Sequence, residues 1–166
     1  MKSPKKIKVI ELFAGVGGFR LGLEGYGPNH LSSLSNYTLP LKNKIPFEVI
    51  YSNQFEPSAK KQFANEVYLK RFSKTKGHYA KDINALMKKD TDNELKVKCD
   101  LLVGGFPCQN YSVASLLRDA KGLIGEKGIL WWEIERILNK LKDKNRAPDY
   151  LLLENVNKLL ISPTKR

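Results

Sequence analysis

Histidine and cysteine are scarce in this sequence, two of each among 166 residues. The cysteines, Cys99 and Cys108, are too few for a disulfide framework and lack metal-ligand spacing. No metal centre is therefore expected, and a reducing, cytosolic setting is the default. Neither histidine, His30 or His78, lies at the end of a strand-like run, which argues against a Cys-His hydrolase and leaves both as expected surface residues. No run of about eighteen apolar residues occurs, so no transmembrane helix is indicated. The opening MKSPKKIKVIELF is basic and then apolar, but the apolar part is too short for a signal peptide and no small-residue cleavage site precedes the glycines. Acidic residues are a minority, 17 against 29 Lys and Arg, leaving a net charge of +12. That balance favours a polyanionic partner, nucleic acid first. Lysine far outnumbers arginine, however, and a lysine-rich surface also arises as a compositional habit of the source. A hydrophobic content of 42% suffices for one compact domain with a core rather than two domains.

What is present alternates strands with helices. Ile7 to Phe13 reads as a buried strand, the glycines of AGVGG break it, and a helix begins at Phe19 to Glu24. Gly25 to Lys44 is polar and turn-rich, the composition of a surface insertion. Phe47 to Ser52 is a second strand. Pro57 to Phe72 fits a helix with proline in its first turn and Ala59, Phe63, Val67 and Phe72 on its inner face. Ala80 to Asn84 holds a short third strand ending near Asp82. Asp100 to Phe106 is a fourth and Tyr150 to Leu153 a fifth. From Gly128 onward, Leu130, Ile134, Ile137, Leu138 and Leu141 recur at helical spacing. This order predicts an α/β fold, a parallel sheet with helices on both faces. Such a sheet binds its ligand at the carboxyl ends of its strands. The unusual residues fall there: AGVGG, Gln54-Phe55, Asp82, FPCQ and ENV.

Three of these segments carry chemistry. F-A-G-V-G-G-F at Phe13 to Phe19 is a glycine-rich turn that lets backbone approach a ligand closely. It lacks both the dinucleotide G-x-G-x-x-G spacing and the Gly-Lys-Ser/Thr of a phosphate loop, so alone it is equally a plain tight turn. G-G-F-P-C-Q at Gly104 to Gln109 places Cys108 directly after a buried strand, before the polar run QNYS. A nucleophile fits that position, whereas Cys99 reads as a small apolar core residue. E-N-V at Glu154 to Val156 sets a carboxylate at the end of the fifth strand. Such a residue is often only a helix cap; beside Cys108 it becomes a candidate acid or hydrogen-bonding group, its pKa raised by burial.

Taken together, ELFAGVGGFRLGLE, GGFPCQNYS and LLLENVNKLL resemble, in order and spacing, the first, fourth and sixth motifs of the DNA cytosine-5 methyltransferases. SNQFEP, AKDIN and GILWWEI are similar to the second, third and fifth. The resemblance runs from Ile7 to the last residue and implies a Rossmann-like, S-adenosylmethionine-dependent methyltransferase fold, here its first five or so strands. It further implies a double-stranded DNA partner whose target cytosine is flipped out of the helix. Cys108 would add to C6 and Glu154 would bond the ring N3 and amino edge, with Pro107, Asn155 and Val156 shaping the pocket and Gln109 and Ser112 on a closing loop. For S-adenosylmethionine it implies contacts from Phe13, Ala14, Val16, Gly18, Gln54, Phe55, Asp82, Ile83, Gly105, Pro107 and Leu130. Membership in a bacterial restriction–modification system, acting in the cytoplasm at the nucleoid, follows from the same likeness.

Two departures stand out. Gln54 occupies the place where the family commonly has an acidic residue gripping the ribose hydroxyls, which predicts weaker binding of the methyl donor. The sequence also carries no arginine-bearing eighth motif, target-recognition region or late motif, so residues 1–166 are expected to be the N-terminal portion of a catalytic domain. They would be completed by a C-terminal region in the same protein or in a complementary subunit, leaving exposed sheet edges and apolar surface without it. A split or truncated donor-binding remnant and an RNA cytosine-5 methyltransferase are the alternatives. No Asp/Asn-Pro-Pro-aromatic motif supports an amino-group methyltransferase.

Overall fold

Four short runs rich in β-branched and aliphatic residues, with the His78–Tyr79 pair, become five parallel strands. A computed structural model describes residues 5–25, 47–72, 77–83, 98–106 and 129–157. The strands are β1 (Ile7–Leu12), β2 (Phe47–Asn53), β3 (His78–Tyr79), β4 (Leu101–Gly105) and β5 (Tyr150–Glu154). Three helices are described, α1 (Gly18–Glu24), α2 (Phe63–Arg71) and α3 (Ile129–Asp143). The strand order is β3-β2-β1-β4-β5, every neighbouring pair parallel. The chain moves outward from β1 through β2 to β3, then returns to the other side of β1 with β4. The gap between β1 and β4 is therefore the topological switch point, where open α/β sheets hold their ligands.

Alternation along the strands divides the core between two faces. On one, Ile10, Leu12, Tyr51 and Leu102 pack with Ile134, Ile137 and Leu141 of α3. Ile134, Ile137 and Leu141 are at most 2% exposed, each such burial contributing roughly 1.5–3 kcal/mol. The inward positions predicted for this helix hold, with Leu130 and Leu138 packed against the same cluster. Two residues past the helix, Asn145 is left-handed, and Arg146 N–H then bonds the Leu141 carbonyl. On the other face Val9, Val49, Leu101 and Val103 meet Phe19 and Leu23 of α1.

Three expectations need correction. The second helix begins at Phe63, because the Gln62 side chain bonds Glu56 and Ala59 and closes a turn after Pro57. Tyr68 is its buried residue, whereas Phe63 and Val67 are exposed; Phe72 is half-buried over Gly17. The third strand lies at His78–Tyr79, short of Asp82. His78 is accordingly no surface residue: it is half-buried, with Ser52 Oγ 2.8 Å from Nδ1 and Asn65 Oδ1 2.7 Å from Nε2. The expected insertion at 25–44 lies, after Gly25, outside the described residues.

At the far edge, β5 presents Tyr150, Leu151 and Leu152 to solvent, 70%, 49% and 48% exposed. An apolar groove of about 440 Å³ runs beside it, lined by Gly18, Phe19, Gly22, Leu23 and Leu152. Among the described residues no helix is long and apolar enough to cross a membrane.

Candidate active site

The carboxyl ends of the strands converge as the topology requires. Phe13 and Ala14 follow β1, Gln54 and Phe55 follow β2, Asp82 and Ile83 come after β3, Phe106 follows β4, and Asn155 follows β5. Pro107, Cys108, Gln109 and Ser112 lie outside the described residues.

The loop after β1 is built on unusual backbone. Phe13 takes φ 54°, Gly15 55° and Gly17 88°, all left-handed. For phenylalanine that conformation is costly and is kept only where the surroundings enforce it. Here Ala14 N–H donates to the Asn53 carbonyl at 2.9 Å, and Gly15 N–H donates to Gln54 Oε1 at 2.7 Å. Arg71 Nη1 donates to the Val16 carbonyl at 2.9 Å. The loop is thus tied to β2 and α2, while a Cβ added at Gly15 or Gly18 would meet nothing within 4 Å. Backbone held below with open space above is a cradle for a ligand.

Asn53, absent from the sequence-based site, organises the neighbouring strand end. It is 2% exposed, and its Nδ2 donates to the carbonyls of Tyr79 and Lys81, fixing the approach to Asp82. An Asn at a strand end carries no recognisable signal of that role in sequence. Ile83 is 4% exposed and belongs to the core, against which Phe13, Leu130 and Val156 also pack. Four of the expected site residues therefore share one apolar cluster. Phe55 and Asp82 are half-buried, and Val16 and Gly18 are exposed at the mouth of the loop.

On the other side of the switch point, Gly105 pairs with Glu154. A Cβ at Gly105 would lie 3.1 Å from Glu154 Oε2, so glycine leaves room for the carboxylate beside the end of β4. Asn155 Nδ2 donates to the Phe106 carbonyl at 3.0 Å and its Oδ1 accepts from Val156 N–H at 2.8 Å. These bonds fix the backbone that leads from β4 toward Cys108. The expected burial of Glu154 is not found: it is exposed, because β5 is the open edge of the sheet. Cys99 sits in the core as expected, fully buried, with burial pushing its thiol up to about 11.

Comparison with known proteins agrees with this arrangement. Residues 7–166 match the family model described as C-5 cytosine-specific DNA methylase. The chain is 46% identical over 161 residues to the type II methyltransferase M.Sau3AI of Staphylococcus aureus, covering 97% of this chain and 33% of that protein. It is 31% identical over 155 residues to M.HaeII of Haemophilus aegyptius, covering 93% and 36%. The chain thus spans about a third of the length of the curated relatives it matches. Among solved structures, the Entamoeba histolytica methyltransferase EhMeth superposes with a TM-score of 0.52 at 21% identity, over 95% of this chain and 40% of that one. At that identity the likeness speaks to the fold.

Proposed function

The chain belongs to the C-5 cytosine-specific DNA methylase family, and from that premise we propose that it carries the donor loop and the nucleophile of a DNA cytosine-5 methyltransferase using S-adenosylmethionine. The observation that carries the reading is the switch point itself. The left-handed loop Phe13–Gly17 at the end of β1 stands next to the end of β4, where Gly105 and Glu154 are in contact and Cys108 follows three residues on.

The residues fit the donor. The loop exposes backbone to open space, Gln54 stands at its edge, and Phe13 and Leu130 supply apolar surface. Phe55 and Asp82 take the adenosine part in this reading. Ile83, buried in the core, backs the base. When bound, S-adenosylmethionine supplies an electrophilic methyl group.

The chain's own residues prepare the cytosine. The Cys108 thiolate adds to C6, placing carbanion character on C5. Glu154 hydrogen-bonds the N3 and amino edge of the flipped base and stabilises charge as the adduct forms. Once C5 has been methylated, its proton would pass to a water acting as base, the C5–H electron pair would form the C5–C6 double bond, and Cys108 would leave C6 as thiolate, restoring aromaticity. Pro107, Asn155 and Val156 shape the pocket, and Gln109 and Ser112 close over it. A net charge of +12 suits the DNA backbone. A complementary C-terminal region, in the same chain or a partner, would supply target recognition and cover the apolar edge at Tyr150–Leu152.

Trapping on fluorocytosine-containing DNA tests this directly. The chain, supplied with the region that makes up the remaining length of the relatives, is expected to form a covalent adduct that Cys108→Ala abolishes. Absence of the adduct, or its survival in Cys108→Ala, contradicts the reading; an adduct on RNA and not on DNA redirects the substrate.

A further inference from the structure

Beneath the loop, on the α1 side of the sheet, lies a polar layer that the catalytic reading leaves unused. Glu11, Ser52 and His78 stand side by side in register on β1, β2 and β3. A register shift after Val9 skips Ile50 and places Ser52, not Tyr51, beside Glu11. Glu11 is 0% exposed and both its oxygens accept: Oε1 from Arg20 N–H at 3.2 Å, Oε2 from the Tyr68 hydroxyl at 2.8 Å. Arg20 lies in the first turn of α1, whose N-cap, Gly17, has no side chain to offer. Glu11 therefore caps that helix from the strand below. The Arg20 guanidinium donates to Glu24 at 2.8 Å and to the Tyr68 oxygen at 3.2 Å, and Glu24 accepts Val49 N–H at 2.6 Å.

We propose that Glu11 is a positioning residue of the donor site: its ionised carboxylate holds Arg20 N–H and Tyr68 O–H, and so fixes the start of α1 and the Ala14–Gly17 loop that leads into it, and proton uptake loosens that hold. The inference rests on the reading of this loop as the donor loop. An ionised carboxylate only accepts, and both oxygens are filled accordingly. A protonated one must donate, and the Tyr68 oxygen is the acceptor at hand. The Tyr68 hydroxyl hydrogen then turns toward Ser52 Oγ, the polar side chain beside Glu11 in register. Ser52 can accept because its own hydrogen serves His78 Nδ1, while His78 Nε2–H serves Asn65. The layer thus has a second complete arrangement, in which Arg20 N–H faces a neutral and weaker acceptor.

Among the described residues, the charged and titratable groups facing Glu11 are Arg20 and Glu24 on α1, Tyr68 on α2 and His78 on β3; its β4 neighbour is Val103. Burial pushes the Glu11 carboxyl up to about 7, against the pull of the bonds from Tyr68 and Arg20 and of the Arg20 charge. Burial, with Arg20, holds His78 down to about 4, so it stays neutral while Glu11 titrates.

The test follows the Arg20 amide of the chain, supplied with the region that makes up the remaining length of its relatives, by heteronuclear NMR from about pH 5.5 to about pH 8.5, alongside calorimetric affinity for S-adenosylhomocysteine. One titration near neutrality is expected, with affinity falling up to about tenfold as pH drops through it. By reciprocity, saturating S-adenosylhomocysteine moves the amide midpoint down by the matching amount. Tyr68→Phe keeps the ring on His78 but removes a donor to the ionised form, and it should raise both midpoints. Glu11→Gln should abolish both titrations. A packing role alone would leave the midpoint in Tyr68→Phe where it was, and that result overturns the proposal. So does a flat Arg20 amide, or an affinity independent of pH; either leaves the donor-loop reading intact. Failure to bind S-adenosylhomocysteine at any pH defeats that reading and the proposal with it.

Discussion

Gln54 Oε1 accepts the N–H of Gly15 at 2.7 Å, so the side chain at the end of β2 holds the loop at the end of β1. The sequence places Gln54 only as a weak ribose ligand; the structure gives it a second duty. In Gln54→Glu a carboxylate oxygen would still accept Gly15 N–H while the other bonds a ribose hydroxyl with charge assistance. Affinity for S-adenosylhomocysteine is expected to rise about tenfold, roughly 1.4 kcal/mol. Gln54→Leu leaves Gly15 N–H unpaired and should cost about 1–3 kcal/mol in stability as well as affinity. Calorimetry and thermal melting read the two effects; an unchanged dissociation constant in Gln54→Glu removes the ribose role.

Two glycines at the crevice should respond differently to the same substitution. A Cβ at Gly105 would stand 3.1 Å from Glu154 Oε2, the tip of an exposed and movable side chain. Gly105→Ala should therefore shift stability by less than about 1 kcal/mol while reducing DNA trapping by the completed enzyme about tenfold or more. At Gly17, φ is 88° and the Cβ would overlap the Phe72 ring. Gly17→Ala should destabilise the fold by about 1–3 kcal/mol. A melt of Gly105→Ala as poor as that of Gly17→Ala would show that the Glu154 contact is structural.

The sheet and its order of elements were legible because every strand but β3, the two residues His78–Tyr79, is a short aliphatic run and α3 repeats its apolar residues at helical spacing. The strand-end motifs could be placed for the same reason. The second helix was legible but its inner face was not, because its buried member is Tyr68 and its apolar Phe63 and Val67 face solvent, so periodicity points the wrong way. Nor was the layer of Glu11, Ser52 and His78. It exists because one register shift at Ile50 changes which β2 side chain stands beside Glu11, and nothing in a single strand's sequence announces its register to another. Asn53 escaped notice similarly, since its partners are backbone carbonyls of a two-residue strand and the turn after it.

Glu11 and His78 should impose opposite pH dependences on stability. Burial raises Glu11 from an ordinary 4.5 to about 7, so the folded state holds its proton longer than the unfolded chain, and stability falls as pH rises through that window. Burial lowers His78 from 6.5 to about 4, so the folded state gives up its proton sooner, and stability falls as pH drops through that window. Where the windows overlap the two effects offset, and the native chain should show a shallow profile. Glu11→Gln should expose the His78 dependence, with stability rising toward neutrality; His78→Gln should expose the opposite slope. Each slope is bounded by about 1.4 kcal/mol per pH unit. Denaturant melts across this range read both, and parallel profiles in the two variants would mean that neither group titrates as placed.

The two cysteines should separate cleanly by chemistry. Cys99 is 0% exposed within the cluster of Ile10, Leu102 and Ile137, and burial pushes its thiol up to about 11. At neutral pH it therefore offers neither access nor thiolate to a thiol reagent. In Cys108→Ser, labelling of the native chain should be negligible and should appear only as denaturant unfolds it. Cys99→Ala should preserve trapping on DNA in the completed enzyme while costing about 1 kcal/mol in stability, the loss of one buried sulfur from a packed core. Rapid labelling of native Cys108→Ser would place Cys99 outside the core. Loss of trapping in a stably folded Cys99→Ala would move the nucleophile away from Cys108.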